Sequence, residues 1–366
     1  PTHYYGVGGA TWSVEATGAN LVDLTKVAAV QGIISKEEAR VISGRDHFPV
    51  IEIKRSGTGN GLYPDGSFVD HSNIAYTGTY GVVLLGSMVD MIYLLENSSF
   101  TLNEEDLNNI YDMILDAFQP VIYRGLMMDM VNGRAISRGN VQDIGHGIGA
   151  IERIIQYMEF APKKYKSKFE SMVKYWISSN DSVNLIERFN RIPVITMANT
   201  IMNDSSIQSS GELIGHYNFA NMDRVVHRRP GYVFGISMYS DRIGAYEGNM
   251  NGENQKGFYT GSGMTYLYNN DLQQYSGDFW PTVDSYRLPG TTVDATKQLP
   301  VGAGTGKTSP QSWVGGSKIE GLYGTNGMFL DQSIYGMSLK GKKSWFMFDN
   351  EVIALGSDIK STDGRP

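Results

Sequence analysis

The two halves of this chain follow different residue rhythms, and that change constrains its fold more than any other feature. From Asn20 to Gly32, apolar residues fall at Leu21, Val22, Leu24, Val27 and Ala28, the period of a helix with one buried stripe, and Gly32 is placed to end it. The same rhythm recurs over Leu102–Phe118 and Gly147–Phe160, and over Lys163–Ser179 with its stripe at Tyr165, Phe169, Met172, Val173 and Trp176. Gly81–Leu95 is apolar but too short to span a membrane and carries Asp90, so it reads as a buried core helix. Beyond Pro193 the period shortens. Tyr232–Tyr239, Met264–Tyr268 and Ser344–Leu355 are aromatic and β-branched runs broken by Gly, Asn and Asp, and Asp349-Asn350 interrupts the last as a hairpin turn would. The expectation is a multidomain α+β protein: a helical domain over 1–182 and an antiparallel β domain over 183–366, with the boundary near Asp181–Arg191.

Composition narrows the functions. A net charge of −7 argues against a uniformly basic nucleic-acid binder, and the absence of cysteine removes thiol nucleophiles, thiolate metal sites and disulfides. No His-Glu-x-x-His and no Gly-x-x-x-x-Gly-Lys-Ser/Thr occurs, and Gly302-Ala-Gly-Thr-Gly306 reads as a plain loop.

Chemistry therefore has to come from polar and aromatic clusters. The densest is Tyr63-Pro-Asp-Gly-Ser-Phe-Val-Asp-His-Ser-Asn-Ile-Ala-Tyr-Thr-Gly-Thr-Tyr-Gly81. On one continuous helix His71 and Tyr80 would face about 180° apart. They converge only if a loop carrying His71 folds back over a helix that starts near Tyr80, with Thr77 or Thr79 as its cap; composition alone is equally compatible with a loop of buried tyrosines and a core histidine. In Met130-Val-Asn-Gly-Arg-Ala-Ile-Ser-Arg-Gly-Asn140, Arg134 and Arg138 stand at helical spacing, fit to clamp a carboxylate, although a solvated or salt-bridged pair is the more ordinary reading. Tyr246–Tyr268 holds Glu253 and Asn254 among residues that could simply form turns.

Taken together, these stretches resemble the bacterial polysaccharide lyases of family 8, which include hyaluronate, chondroitin AC and xanthan lyases. The likeness rests on Thr17-Gly-Ala-Asn-Leu-Val-Asp23, the His71–Tyr80 cluster, Gly133-Arg-Ala-Ile-Ser-Arg138, Asn251-Gly-Glu-Asn254 with Gly257-Phe-Tyr-Thr260, and Trp280-Pro-Thr282, in family order. The resemblance implies an incomplete α/α toroid followed by an antiparallel β-sandwich, both apparently truncated, and the family's Asn-Trp-Trp patch does not occur in this sequence. It assigns Asn20, His71 and Tyr80 as catalytic, Arg134 and Arg138 as substrate-positioning, and Glu253 and Asn254 as further cleft residues, although Tyr246-Glu-Gly-Asn-Met-Asn carries one residue more than the resemblance leads one to expect.

The activity it implies is β-elimination on a uronate polysaccharide: hyaluronan first, chondroitin second, and xanthan third, because Asn140 stands where that branch is expected to carry tyrosine. A non-catalytic glycan-binding relative is the alternative. Asn20 would stabilise charge growing on the uronate carboxylate. Tyr80 would serve as base and then acid, helped by arginine because a free phenol titrates near about 10. His71 would position the uronate, and the scheme calls for no metal or cofactor. A secreted bacterial monomer acting on a polyanionic polysaccharide, without a membrane span or nucleic-acid partner, is expected.

Overall fold

The computed structural model describes residues 4–5, 11–12, 18–48, 59–294 and 297–364. Thr17 of the first matching stretch, and Arg365 and Pro366 at the chain end, lie outside the described residues. Helices come first: α1 (Gly18–Ser35), α2 (Glu38–Asp46), α3 (Tyr80–Leu95), α4 (Glu104–Met113), α5 (Gln142–Tyr157), α6 (Lys163–Ser179), α7 (Leu185–Arg188) and α8 (Ile192–Asn203). The long helices obey the stripe rule. In α6 the side chains of Tyr165, Phe169, Met172, Val173 and Trp176 are buried, as the period requires. Asn103 caps α4 by accepting from the Asp106 amide at 2.9 Å, and Glu104, Glu105 and Asp106 add negative charge where the helix dipole is positive.

Gly32 does not stop α1, which runs three residues further to Ser35. The glycine serves packing instead: a Cβ there would lie 2.7 Å from the Val41 backbone nitrogen of α2. The start of α3 also differs from a side-chain-capped one. Thr79 occupies the cap position without a side-chain cap bond, and its hydroxyl points to the Asn132 carbonyl at 3.4 Å.

A small antiparallel sheet, β1 (Gly61–Leu62), β2 (Phe68–Asp70) and β3 (Ile74–Ala75), precedes α3. After the helices come two four-stranded antiparallel sheets. One pairs β4 (Gly215–Phe219), β5 (Arg224–Arg229), β6 (Tyr232–Ser237) and β7 (Met264–Tyr268) as consecutive neighbours. The other does the same with β8 (Val314–Ile319), β9 (Tyr323–Asp331), β10 (Lys340–Met347) and β11 (Val352–Lys360). The β5–β6 hairpin turns at Pro230-Gly231, with Gly231 at φ +82°, and Phe348–Glu351 closes the β10–β11 hairpin through a 2.9 Å backbone bond across Asp349-Asn350. The architecture is helical domain followed by antiparallel sheets.

The two parts share one apolar core, and buried arginines bolt them together. Arg224 donates to the Met130 carbonyl at 2.7 Å, and Arg228 donates to the Pro120 and Ile122 carbonyls at 2.8 and 3.1 Å. Each guanidinium is buried and finds its acceptors in backbone oxygens, which is how a strongly donating group survives desolvation. This seam fixes the site, because Met130 lies just before Arg134 and the first sheet leads into the Glu247 loop.

Candidate active site

The site begins with a tight turn. Between β2 and β3, His71 and Ser72 take φ +49° and +72°, left-handed values uncommon outside glycine, so this turn is held by its surroundings. Asp70 provides part of that hold: its buried carboxylate accepts from the His71 amide at 2.7 Å, and the Ala19 amide at the start of α1 bonds to it as well. Gly18, at φ +57°, is required there, since a Cβ would come within 2.7 Å of the Asp70 Oδ2.

The turn brings the His71 ring onto the first turn of α3. Ring centroids of His71 and Tyr80 are 4.5 Å apart, those of Tyr76 and Tyr80 are 4.8 Å apart, and His71 meets Tyr76 edge-on at 5.3 Å. A 3-10 turn at Gly133–Ser137 then delivers Arg134 into the same space. Its Nη2 donates to the Tyr80 oxygen at 3.4 Å and its Nη1 to the Tyr76 oxygen at 3.0 Å.

Two glutamates from the β part complete the cluster. Glu247 accepts from His71 Nδ1 at 2.5 Å, from Arg134 Nη1 at 3.0 Å and from the Tyr76 hydroxyl. Glu253 accepts from Arg134 Nε at 2.8 Å and from Arg138 at 2.6 and 3.2 Å. A carboxylate only accepts, so the proton on His71 Nδ1 faces Glu247 and Nε2 is left for a ligand. Arg134 and Arg138 are thus ion-paired, the ordinary reading of their spacing, but with a partner inside the cleft. Asn254 braces the loop: its amide nitrogen donates to the Ser137 hydroxyl at 2.9 Å and its Nδ2 to the Glu247 carbonyl at 2.7 Å.

Electrostatics follow from burial and pairing. Burial pushes the Glu247 carboxyl up, but hydrogen bonds from His71, Tyr76 and Arg134 outweigh it and hold the group below its usual range. For Glu253 the Arg138 hydrogen bond leads and keeps it low, against a smaller effect of burial. The Tyr76 phenol is driven well up, by burial first and then by Glu247, so it stays protonated and acts as a donor. Two guanidiniums balance two carboxylates beside His71 and the half-buried Tyr80.

Residues 8–175 match the polysaccharide lyase family 8 N terminal alpha-helical domain, and residues 214–366 match the family 8 super-sandwich domain. The chain belongs to polysaccharide lyase family 8. It is 41% identical over 357 residues to the xanthan lyase of Bacillus sp. (strain GL1), covering 97% of this chain and 37% of that protein. It is 37% identical to the hyaluronate lyase HylB of Enterococcus faecalis (strain ATCC 700802 / V583), covering 94% of this chain and 35% of that protein. The chondroitin AC lyase of Streptomyces coelicolor A3 in complex with chondroitin sulphate superposes with a TM-score of 0.89 at 38% identity, covering 96% of this chain and 48% of that one. The chain therefore spans between about a third and a half of the length of these relatives.

Within this family 8 chain, the structure brings His71, Tyr80, Arg134, Arg138, Glu253 and Asn254 into one cluster. Asn20 lies on the exposed first turn of α1, next to the Ala19–Asp70 bond, and its side chain has no hydrogen-bond partner among the described residues. Glu247 and Tyr76 are central to the cluster yet were not singled out from sequence. Glu247 sits inside the Tyr246–Tyr268 stretch, and the one available signal is that Tyr246-Glu-Gly-Asn-Met-Asn is a residue longer than the resemblance leads one to expect. The loop carries left-handed backbone at Asn249, Asn251 and Asn254 (φ +62°, +55° and +46°), and both glutamates reach Arg134.

Proposed function

We propose that this chain carries the catalytic centre of a polysaccharide lyase that cleaves a uronic-acid-containing glycan by β-elimination, leaving a 4,5-unsaturated uronate. One observation carries the reading: the Tyr80 phenol stands 3.4 Å from an Arg134 donor, with the His71 ring packed on it at 4.5 Å between ring centroids. Tyr80, acting as its phenolate beside the Arg134 cation, takes the proton from C5 of the uronate, and the electron pair of that C–H bond moves toward the carboxylate. Charge then builds on the uronate carboxylate, which the exposed amide of Asn20 stabilises by donation while His71 positions the uronate. As the C4–O bond breaks, Tyr80 returns a proton to the leaving oxygen. Glu247 fixes the His71 tautomer, while Arg138, Glu253 and Asn254 shape the wall that receives the polymer.

Hyaluronan is the first substrate choice and chondroitin the second. Asn140, on the segment after Arg138, supports this order over xanthan, while the 41% identity to a xanthan lyase supports xanthan as a second reading. The same proposal includes secretion, monomeric action on a polyanionic polysaccharide and a division of the chain at 182/183. No described helix is long and apolar enough to cross a membrane. The test is to incubate the full-length protein with hyaluronan, chondroitin sulfate and xanthan and follow the ultraviolet absorbance of unsaturated uronate. Absorbance rising fastest with hyaluronan is expected; no rise with any of the three would favour the glycan-binding alternative.

A further inference from the structure

Asparagine followed by glycine is among the least durable steps in a polypeptide, because glycine has no Cβ to shield its amide nitrogen from the asparagine side chain and leaves the backbone able to bring the two together. The chain contains four such steps: Asn60-Gly61, Asn132-Gly133, Asn251-Gly252 and Asn326-Gly327. Three are held in place. Gly61 is paired in β1, and the Asn60 side chain accepts from the Ser72 amide at 2.6 Å. Asn132 is fully buried with its amide on Asp129 at 3.3 Å, and Asn326, on β9, is 2% exposed with its amide on Asn218 at 3.1 Å. The fourth step is open. Asn251 and Gly252 are both exposed in left-handed backbone (φ +55° and +73°), and the Asn251 side chain has no hydrogen-bond partner among the described residues. Chain neighbours aside, the one described atom within 4 Å of where a Gly252 Cβ would stand is Gln255 Nε2, at 3.8 Å.

This step lies two residues before Glu253, the carboxylate that holds Arg134 and Arg138. We propose that Asn251-Gly252 is a site of spontaneous deamidation, and that its conversion weakens polysaccharide binding in the cleft. The Gly252 nitrogen, having given up its proton to base, attacks Cγ of Asn251. The N–Cγ bond forms, the Cγ–Nδ2 bond breaks, and the amide leaves as ammonia, taking its proton from the medium. Water then opens the cyclic imide at either carbonyl, giving aspartate or, with the chain rerouted through the side-chain carbonyl, isoaspartate. Both products add a negative charge beside the wall that receives a polyanion, and like charges repel. Isoaspartate also lengthens the backbone by one methylene just ahead of Glu253. The covalent change stands apart from the lyase reading, while its effect on activity rests on that reading.

The full-length protein, aged at mildly alkaline pH, would be mapped by peptide mass spectrometry with enzymatic detection of isoaspartate, and assayed in parallel on hyaluronan. The Asn251 peptide is expected to convert at least about tenfold faster than those of Asn60, Asn132 and Asn326, which react only through local opening. KM for the polymer should rise in step with that conversion. Asn251→Asp, made directly, should show a KM raised about threefold from the start, an effect that shrinks as salt is added. Asn251→Gly takes the left-handed backbone without strain and has no side-chain amide, so it should start at the parent's KM and keep it through ageing. Equal conversion at all four steps, faster conversion at a buried one, or a KM that rises as fast in Asn251→Gly as in the parent overturns the proposal, and so does complete conversion at Asn251 with KM unchanged. If fresh protein releases no unsaturated product from any polysaccharide, the lyase reading fails by itself, and the mass map with polysaccharide affinity in place of KM decides the deamidation.

Discussion

Glu247→Gln probes the cluster at its least expected member. The carboxylate is 8% exposed at the side chain, and Arg134, its partner, 6%. Glutamine keeps the shape and one acceptor oxygen. That oxygen can still take the Arg134 and Tyr76 donors, but both bonds lose their anionic partner, and a charge-assisted bond is worth about 1 kcal/mol more than a neutral one. The amide nitrogen must then face His71 Nδ1, which compels the imidazole to become an acceptor there and to carry its proton on Nε2. Stability should fall by about 2 kcal/mol, less than the roughly 3–5 kcal/mol for stripping a buried ion of its only partner, because Glu253 still pairs Arg134. Turnover should fall further, on the order of 10²-fold or more, in kcat with little change in KM, because the switched tautomer presents an N–H at Nε2 where the parent presents a lone pair. Urea unfolding and steady-state release of unsaturated uronate, measured on the same preparation, separate the two effects. A stability loss with kcat within threefold of the parent would reduce Glu247 to scaffolding and refute the tautomer argument.

Two further outcomes follow from packing. Gly133→Ala would put a methyl group inside the Tyr76 ring at a backbone φ of +54°, in the turn that launches Arg134. A loss of about 3 kcal/mol, with activity lost alongside, is expected in thermal unfolding, and an unchanged melting temperature would contradict it. His216 and His227 are buried with their Nδ1 atoms 3.3 Å apart, and burial followed by the His227 charge lowers His216 from 6.5 to about 4. The unfolded chain then binds more protons through that window. Stability should therefore be fully present above about pH 6.5 and decline by about 3 kcal/mol as the pH falls to about 4. Glu247 and Glu253, both held low, add acid sensitivity of the same sign below the ordinary carboxylate range. His216→Gln should flatten the upper part of that slope in urea midpoints read from pH 7 to 4.5; an unaltered slope would refute the assignment.

Much of this architecture is legible in the chain because local rules decide it. The α6 stripe, the strand at Met264–Tyr268 and the turn at Asp349-Asn350 all follow from side-chain period and turn chemistry within a few residues. Gly32 misleads for a physical reason: glycine ends helices, but it also lets two helices touch, and only the position of α2 distinguishes these uses. His71 and Tyr80 can be paired from sequence because a broken loop precedes an apolar helix. Glu247 cannot, because its meaning lies in partners from residues 71, 76 and 134, reached through left-handed asparagines that no periodicity announces.

The most direct test of the central claim is Tyr80→Phe in the full-length protein, assayed for unsaturated uronate and for polysaccharide affinity. Removing one hydroxyl oxygen from a half-buried ring should leave fold and binding intact while turnover drops by on the order of 10³-fold or more, since both proton transfers pass through it. A variant that still cuts its polymer at close to the parent rate would contradict the account.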